Sequence, residues 1–350
     1  MAALSHVEVW RGSTVESIHR VSVAIVDAGG GLRAGSGAPE QVTVARSAVK
    51  PIQALPLVTD GVADRYGFGD RELALCSASH SGEAWHVAGV RRMLDRIGVD
   101  EAALECGPHA PFHAPAADAL TKAGEAPGRV HNNCSGKHAG MLALACFHGW
   151  PIAGYHRAEH PVQQRMLEEV ARWTDVPADD IATGVDGCGV VTFGVPLDRL
   201  AGAFARLGAA ARKGGTGATR IVDAMRRCPE YVGGTDRLCS DLMRTVDGRV
   251  IAKTGAEGVY CAAVPGAGLG IALKVEDGAR RASEPALIGV LRMLGLLMDE
   301  EVGRLSRYAE PVIRNTRGES VGRVRVMIEL EAADAGSAGT MRAAEERDVR

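Results

Sequence analysis

Apolar and polar residues alternate near the amino terminus, which is the pattern of a half-buried β-strand. The alternation covers residues 7–12 and returns over residues 20–27, and together the two runs predict a pair of strands. Much further along the chain, residues 258–275 contain two apolar runs separated by Pro265 and Gly266, which predicts a two-strand hairpin. Strands are therefore expected from both ends of the chain.

The middle of the chain instead has apolar residues spaced three and four apart, which predicts helices. The clearest such segments are residues 162–173, 197–207 and 285–298. Helices enclosed between terminal strands differ from the regular β–α alternation of a parallel sheet. The pattern therefore predicts an α+β fold, with a mixed antiparallel sheet built from both chain ends and a helical lobe.

Two segments lack this periodicity. Residues 208–219 are rich in glycine and predict a mobile loop, and residues 331–350, rich in Ala, Gly, Glu and Arg, predict a flexible C-terminal tail. A chain of 350 residues can bury a large core. We expect a single two-lobed domain over residues 1–330, followed by the tail.

Charge and composition exclude several kinds of partner. The net charge of −3 and the pI of about 6.4 give no electrostatic reason to expect binding to nucleic acid or to an anionic membrane. No apolar run approaches the roughly 18 residues of a membrane span. The first eight residues lack the basic and apolar regions of a signal peptide. These features predict a cytoplasmic protein whose eight cysteines stay reduced.

The first candidate for chemistry is Ser47-Ala48-Val49-Lys50, at the start of an apolar, helix-like segment. Residues three apart share a helix face, so a partly buried Lys50 amine could take the proton of the Ser47 hydroxyl. Such short pairs also arise by chance on exposed helices. The motif gains weight only from the segments that accompany it.

Lys253-Thr254-Gly255 is the first of these segments, and it follows the strand-like run Val250-Ile251-Ala252. S-x-x-K together with K-T-G is the pattern of penicillin-recognising enzymes, in which the second lysine lies on a strand beside the site. A strand-edge lysine that discourages aggregation is the alternative. We favour a lysine of the site.

A third segment, residues 76–83, is small and rich in hydroxyl groups, and it precedes a helix-like run. Ser79 or Ser81 could cap that helix, because hydroxyls satisfy free backbone N–H groups at helix starts. Three serines and His80 exceed what a cap requires. The segment therefore also predicts a polar loop that binds a small substrate or holds a nucleophile.

Two further loops combine thiols with other polar groups. Residues 131–142 read as a loop that leads into a helix N-terminus, which favours a carboxylate or a developing oxyanion. Residues 184–192 surround Asp186 and Cys188 with glycines. Each loop could be an ordinary turn. Together they predict a soft-metal site, for which the candidate ligands are Cys134, Lys137 and Cys188.

These segments, in this order, resemble the rhizobial-type L-asparaginase family, also called asparaginase II. The resemblance rests on residues 7–12, 45–51, 77–83, 131–140, 184–189 and 252–258, and it extends from about residue 7 to about residue 300. It implies a fold similar to that of serine β-lactamases and glutaminases. It also implies hydrolysis of L-asparagine to L-aspartate and ammonia by a homodimer.

The resemblance further assigns roles to individual residues. It implies two serine–lysine tandems, Ser47 with Lys50 and Ser79 with Lys253, and leaves open which serine attacks. Substrate contacts or their supports would be Arg46, His80, Asn133, His138, Asp186 and Cys239, with Asp186 binding the α-amino group. Cys134, Lys137 and Cys188 would bind a labile zinc ion that orients the substrate and does not activate water.

Two other classes of protein share part of this pattern. Another serine–lysine amidohydrolase, such as a glutaminase or a penicillin-recognising hydrolase, would also contain S-x-x-K and K-T-G. A non-catalytic zinc-binding protein could keep the cysteine loops without needing the serines. A β-lactam reporter assay separates a penicillin-recognising hydrolase from an asparaginase, and zinc binding without ammonia release would favour the non-catalytic protein.

Overall fold

The computed structural model describes residues 4–333 and 340–342. Its strands are β1 Ser5–Arg11, β2 Thr14–Asp27, β3 Leu32–Ser36, β4 Val42–Val44, β5 Ala182–Val185, β6 Val191–Pro196, β7 Ile251–Thr254, β8 Val259–Val264, β9 Leu269–Val275, β10 Val312–Arg314, β11 Ser320–Met327, β12 Glu329–Ala332 and β13 Thr340–Arg342.

Most of the helices lie, in sequence, between the strands of the two chain ends. They are α1 Lys50–Gln53, α2 Leu55–Thr59, α3 Val62–Arg65, α4 Asp70–Cys76, α5 Ala84–Ile97, α6 Ala114–Ala123, α7 Ser135–His148, α8 Pro161–Thr174, α9 Leu197–Arg212, α10 Thr216–Arg227, α11 Pro229–Val232, α12 Leu238–Thr245, α13 Arg280–Met293, α14 Asp299–Arg304 and α15 Ser306–Ala309.

The main sheet takes its strands from both ends of the chain, and the α+β class predicted from the sequence is confirmed. β1 pairs with β11, and the long β2 pairs with β1 along its first half. The second half of β2 lies between β3 and β9, and β9 continues the sheet through β8 to β7. All of these pairings are antiparallel. The strands β4, β6 and β5 form a separate small sheet.

Most predicted elements are present at nearly the expected positions. β1, β2 and the hairpin of β8 and β9 match the predicted strands, and α8 and α9 match the predicted helices. The helix predicted over residues 285–298 is α13, which spans Arg280–Met293. Pro285, the first residue of the predicted helix, lies inside it. The prediction of a mobile loop over residues 208–219 is wrong. α9 continues to Arg212 and α10 begins at Thr216, so Gly208 and Gly217 are helical and only a short linker with Gly214 and Gly215 separates the two helices.

The domain boundaries stay predictions. Strand β12 includes Glu331 and Ala332, which pair with β3, so the first residues of the predicted tail lie in the sheet. β13 pairs with β12. Residues 334–339 and 343–350 of the predicted tail lie outside the described residues.

Helix α9 covers one face of the sheet at very close range. A side-chain carbon at Gly270 on β9 would lie 1.9 Å from the backbone oxygen of Ala201 on α9. The absence of a side chain at Gly270 therefore sets the distance between helix and sheet.

We expect the Gly270→Ala variant to be less stable, because the added carbon would push α9 away from the sheet. Overpacking of this kind lowers the free energy of unfolding by about 1–3 kcal/mol. Urea denaturation measures the difference. Gly266→Ala is the matched control, since a side-chain carbon at Gly266 would meet nothing within 4 Å. Equal stabilities of the two variants would contradict the expectation.

Close helix packing also brings two candidate loops together. α7 is buried from Ser135 to Ala145, and a side-chain carbon at Gly136 would lie 2.4 Å from the backbone oxygen of Leu75 in α4. The start of α7 therefore lies directly against the end of α4. The loop that follows α4, which contains Ser79, is thereby placed beside Cys134.

Candidate active site

The loop after α4 holds Ser79 by its backbone as well as by its side chain. The Ser79 N–H donates to the carbonyl oxygen of Val232 at 3.0 Å, and the His80 N–H donates to that of Asn133 at 3.1 Å. The Ser81 hydroxyl donates to the carbonyl oxygen of Gly233 at 2.9 Å. The side chains of both serines thus serve contacts other than a cap on α5. The loop has a fixed position between α7 and the segment before α12.

The Ser79 hydroxyl lies between two buried lysine amines. Its Oγ is 3.1 Å from Lys50 Nζ and 3.0 Å from Lys253 Nζ, and Ser79 itself is only 4% exposed. Lys50 Nζ also donates to the carbonyl oxygen of Ala78 at 2.6 Å and to Cys134 Sγ at 3.1 Å. All three N–H groups of the Lys50 ammonium are therefore used.

Lys253 has the properties of a base in this setting. Burial, reinforced by the nearby charges of Lys50 and Arg237, lowers the pKa of Lys253 to about 7. Lys253 lies on β7, which is paired only with β8 among the described strands, yet its side chain is fully buried. A lysine that only guards a sheet edge would face solvent. The structure thus supports a site role for Lys253.

Ser47 is placed differently from Lys50. It lies in a short 3-10 helix over Arg46–Val49, is half-buried, and makes no side-chain hydrogen bond within the described part of the chain. The expected Ser47–Lys50 hydrogen bond is absent there because the Lys50 side chain extends inward to Ala78, Ser79 and Cys134. The structure therefore links Lys50 to the second serine and not to the first.

Arg46 and Asp186 form an ion pair at the edge of this site. Arg46 Nε lies 2.6 Å from Asp186 Oδ1. Burial opposes ionisation of Asp186, but the charges of Lys137 and Arg46 hold the pKa of its carboxyl below the usual value. Asp186 directly follows β5, where its backbone N–H donates to Val190. The carboxylate stays ionised and oriented.

The thiols of Cys134 and Cys188 lie together beside Lys137. Lys137 Nζ is 3.1 Å from Cys188 Sγ. A hydrogen bond from Cys134, together with the charge of Lys137, lowers the pKa of Cys188 to about 4 despite burial. The same hydrogen bond and burial raise the pKa of Cys134 to about 12. The arrangement is one thiolate paired with one ammonium, with a neutral thiol next to them.

His138 offers one free ring nitrogen. Its Nδ1 is 2.6 Å from the hydroxyl of Tyr155, whereas its buried Nε2 has no hydrogen-bond partner among the described residues. Burial and the charge of Lys137 lower the pKa of His138 to about 3, so the ring is neutral. An unsatisfied buried nitrogen of this kind suits a ligand.

The remaining candidate residues, His80, Asn133 and Cys239, contact neighbouring residues of the site through their side chains. His80 bonds through Nε2 to Ser135 Oγ at 2.9 Å, and its Nδ1 accepts from the Gly82 N–H, so both ring nitrogens are occupied. The amide oxygen of Asn133 is 3.7 Å from Cys134 Sγ. Cys239 Sγ is 2.9 Å from the Tyr260 hydroxyl and accepts from the Thr254 N–H at 3.3 Å. Cys239 thus borders the strand that carries Lys253.

Sequence reasoning missed three residues around the site. Tyr155 positions His138 through a hydrogen bond, but its Gly-Tyr-His segment matches no motif that would indicate a site. Tyr260 lies on β8 opposite Thr254 and reads as a core aromatic. Arg237 lies in the same segment as Cys239, but no motif in the sequence distinguishes it from other arginines.

The fold is of the α+β class, and its candidate site contains a serine hydroxyl between two lysine amines. The family model of L-asparaginase II matches residues 7–326, and the chain belongs to that family. It is therefore an amidohydrolase of the L-asparaginase type, as the resemblance implied. None of the curated proteins searched matches the chain.

Two further observations concern membrane spans and the cysteines. Over the described ranges, no helix combines the length and the apolar composition needed to cross a membrane. All eight cysteines are free thiols. The homodimer and the cytoplasmic location stay predictions.

Proposed function

We propose that this chain hydrolyses L-asparagine to L-aspartate and ammonia with Ser79 as the attacking group. The observation that carries the proposal is the position of Ser79 Oγ, 3.1 Å from Lys50 Nζ and 3.0 Å from Lys253 Nζ. Hydrogen-bond contact between a nucleophile and its base is the geometric signature of an activated hydroxyl. Of the two candidate serines, Ser79 has this contact.

The two lysines have complementary roles in this mechanism. Lys50 acts as a permanent donor, because its three N–H groups point to three acceptors. Lys253, with a pKa of about 7, is partly neutral at neutral pH and can accept the Ser79 proton. The donor lowers the cost of forming an alkoxide, and the base removes the proton.

The reaction then follows in two steps. Ser79 Oγ attacks the side-chain amide carbon of asparagine, and the protonated Lys253 gives its proton to the departing nitrogen, which leaves as ammonia. Water next attacks the aspartyl ester, with Lys253 again accepting a proton, and L-aspartate is released. Positive charge from Lys50 stabilises the negative oxygen that forms in each step.

Asp186 is the group we assign to the α-amino end of the substrate. Its carboxylate is oriented by Arg46 and stays ionised. A substrate lacking the α-amino group would lose this ion pair and leave the carboxylate with Arg46 alone, so it should bind more weakly. One methylene changes binding by only about 1–3 kcal/mol, so weak activity on L-glutamine is compatible with the site.

Cys134, Lys137 and Cys188 are the residues that would hold zinc. Two sulfur donors match the ligands that zinc prefers, and a lysine amine, a rare zinc ligand, can join them once it is neutral. The side chains of Cys134 and Cys188 are already hydrogen-bonded to each other. Among the described residues no group of three His, Cys, Asp or Glu side chains forms a metal site, so binding depends on Lys137. Bound zinc would supply positive charge that orients the substrate.

Zinc affinity is expected to rise steeply with pH. Zinc binds thiolates and neutral amines, so it must displace protons from Cys134 and Lys137. Competition with a chromogenic chelator at several pH values measures the affinity without any assay of activity. Cys188→Ser should abolish tight binding, whereas Cys146→Ser, which changes a thiol at the far end of α7, should leave it intact. An affinity independent of pH would contradict this assignment.

The assay that tests the proposed function is ammonia release from L-asparagine by the purified protein. L-Glutamine and a chromogenic β-lactam are run in parallel. Faster turnover of either of these would favour another serine–lysine hydrolase. Zinc binding without any ammonia release would favour a non-catalytic zinc-binding protein.

A further inference from the structure

Arg237 has a guanidinium group that no oxygen of the described residues binds. The residue precedes α12 and is half-buried, and within the described part of the chain its side chain makes no hydrogen bond or ion pair. Its contact is with an aromatic ring, because its Cζ lies 5.6 Å from the ring centre of Phe112. Five N–H donors in a fixed planar fork are thus left for a ligand.

The acidic residues around Arg237 are all engaged elsewhere. Asp236, its neighbour in sequence, pairs with Arg307. Glu83 accepts from the backbone and the hydroxyl of Thr235 at 2.8 and 2.7 Å. Glu284 pairs with Arg280 at 3.1 Å. Burial, together with the charge of Arg280, lowers the pKa of Arg237, as expected for a cation that no carboxylate neutralises.

Contacts on both sides place the segment that carries Arg237 between the serine loop and the lysine strand. Two residues before it, Thr235 is bound by Glu83 at the end of the loop that contains Ser79. Two residues after it, Cys239 accepts from the N–H of Thr254, the neighbour of Lys253. The segment that carries Arg237 therefore joins the serine loop to the lysine strand.

The other cations near the edge of the site already have anions. Arg46 is bound to Asp186, and Lys137 is bound to Cys188. A zwitterionic amino acid brings one ammonium group, which Asp186 can bind, and one carboxylate, which needs a cation of its own. Arginine binds carboxylates through two parallel hydrogen bonds.

We propose that Arg237 binds the α-carboxylate of the substrate. This inference rests on the proposed function for the identity of the substrate. It adds a residue that selects free amino acids over amides without an α-carboxylate. The ring of Phe112 packs against the guanidinium group. The two hydrogen bonds between Thr235 and Glu83 fix the backbone of the segment that carries Arg237.

The test compares Arg237→Gln, Arg237→Lys and Arg280→Gln with the wild-type protein. In Arg237→Gln we expect KM for L-asparagine to rise by about 10- to 100-fold, the effect of losing a hydrogen bond between charged groups, with kcat little changed. Arg237→Lys should be intermediate, because it keeps the charge but not the planar fork. Arg280→Gln is the matched control and should resemble the wild type, since Arg280 is an exposed neighbour already paired with Glu284.

Calorimetric titration provides a readout that does not depend on turnover. L-Aspartate carries the α-carboxylate, and β-alanine is the same molecule without it. Arg237→Gln should weaken binding of L-aspartate by the same factor as KM rises and leave binding of β-alanine unchanged. Equal weakening of both ligands, or a fall in kcat as large as the rise in KM, would indicate a structural role and overturn the proposal.

Failure of the proposed function would look different. If the wild type releases no ammonia but binds L-aspartate, the function is wrong, and the titrations alone decide the role of Arg237. If L-aspartate binds the wild type and Arg237→Gln equally well, Arg237 is not the carboxylate site. If neither protein binds L-aspartate, both proposals are wrong.

Discussion

Replacing Ser79 with alanine is expected to lower kcat for L-asparagine by about 10³-fold or more, as loss of an attacking serine does in other hydrolases. The variant keeps both lysines but removes the only oxygen that contacts both of their amines among the described residues. KM should change little, because the proposed contacts to the α-amino and α-carboxylate groups are retained. Steady-state ammonia release measures both parameters.

Ser77→Ala is the matched control for this variant. Ser77 is a fully buried serine two residues away, and its hydroxyl donates to the Leu73 carbonyl in α4. Its loss should reduce stability slightly and leave kcat nearly intact. Ser47→Ala should retain more activity than Ser79→Ala, since among the described residues the Ser47 hydroxyl makes no hydrogen bond to a lysine amine. An equal loss in all three variants would point to misfolding.

Covalent labelling identifies the attacking serine directly. A diazoketone analogue of asparagine should modify Ser79, and peptide mapping by mass spectrometry locates the label. Label on Ser47 would overturn the assignment. Ser79 would then be a relay that passes protons between Lys50 and Lys253.

Replacing Lys253 with methionine is expected to reduce kcat/KM by about 10²- to 10⁴-fold, the usual contribution of a positioned base. Methionine fills similar space in the buried position but cannot accept a proton. In the wild type, log kcat/KM should rise with a slope of one up to pH 7 and level off above it, because the neutral amine is the active form and the pKa of Lys253 is about 7. In Lys253→Met this rise near pH 7 should disappear.

Lys274→Met is the control for loss of a lysine from the same sheet. Lys274 lies on β9, and its amine donates to the backbone oxygens of Glu257 and Val275, away from the serines. Its pH profile should match that of the wild type. A rise near pH 7 that persists in Lys253→Met would show that another group is the base.

The sequence predicted the sheet and the main helices well because their apolar spacing is strong and local. It failed at residues 208–219, where glycines suggested a loop. Gly208 and Gly217 are instead buried helical positions that lie close to Pro265 and Thr59, and a side chain would crowd both contacts. Small residues that allow close packing and small residues that break helices look alike in a single sequence.

The sequence indicated candidate residues for the site but not which of their side chains are in contact. Lys50 was expected to serve Ser47, three residues away, whereas its amine reaches Ser79, 29 residues away. That contact depends on α7 packing against α4 through Gly136, which no local pattern reveals. Arg237 was missed because no motif marks it. Only the structure shows that the adjacent acid, Asp236, pairs with Arg307 and not with Arg237.

The pairing of β1 with β11 has a consequence for how this protein is made. Residues 5–11 leave the ribosome more than 300 residues before their partner strand, residues 320–327. The contact of Ser79 with Lys253 likewise spans 174 residues. Folds dominated by such distant contacts form slowly, and β1 presents an unpaired edge until β11 arrives. The free edge of β1 is therefore open to pairing with other chains while the intervening residues are being synthesised.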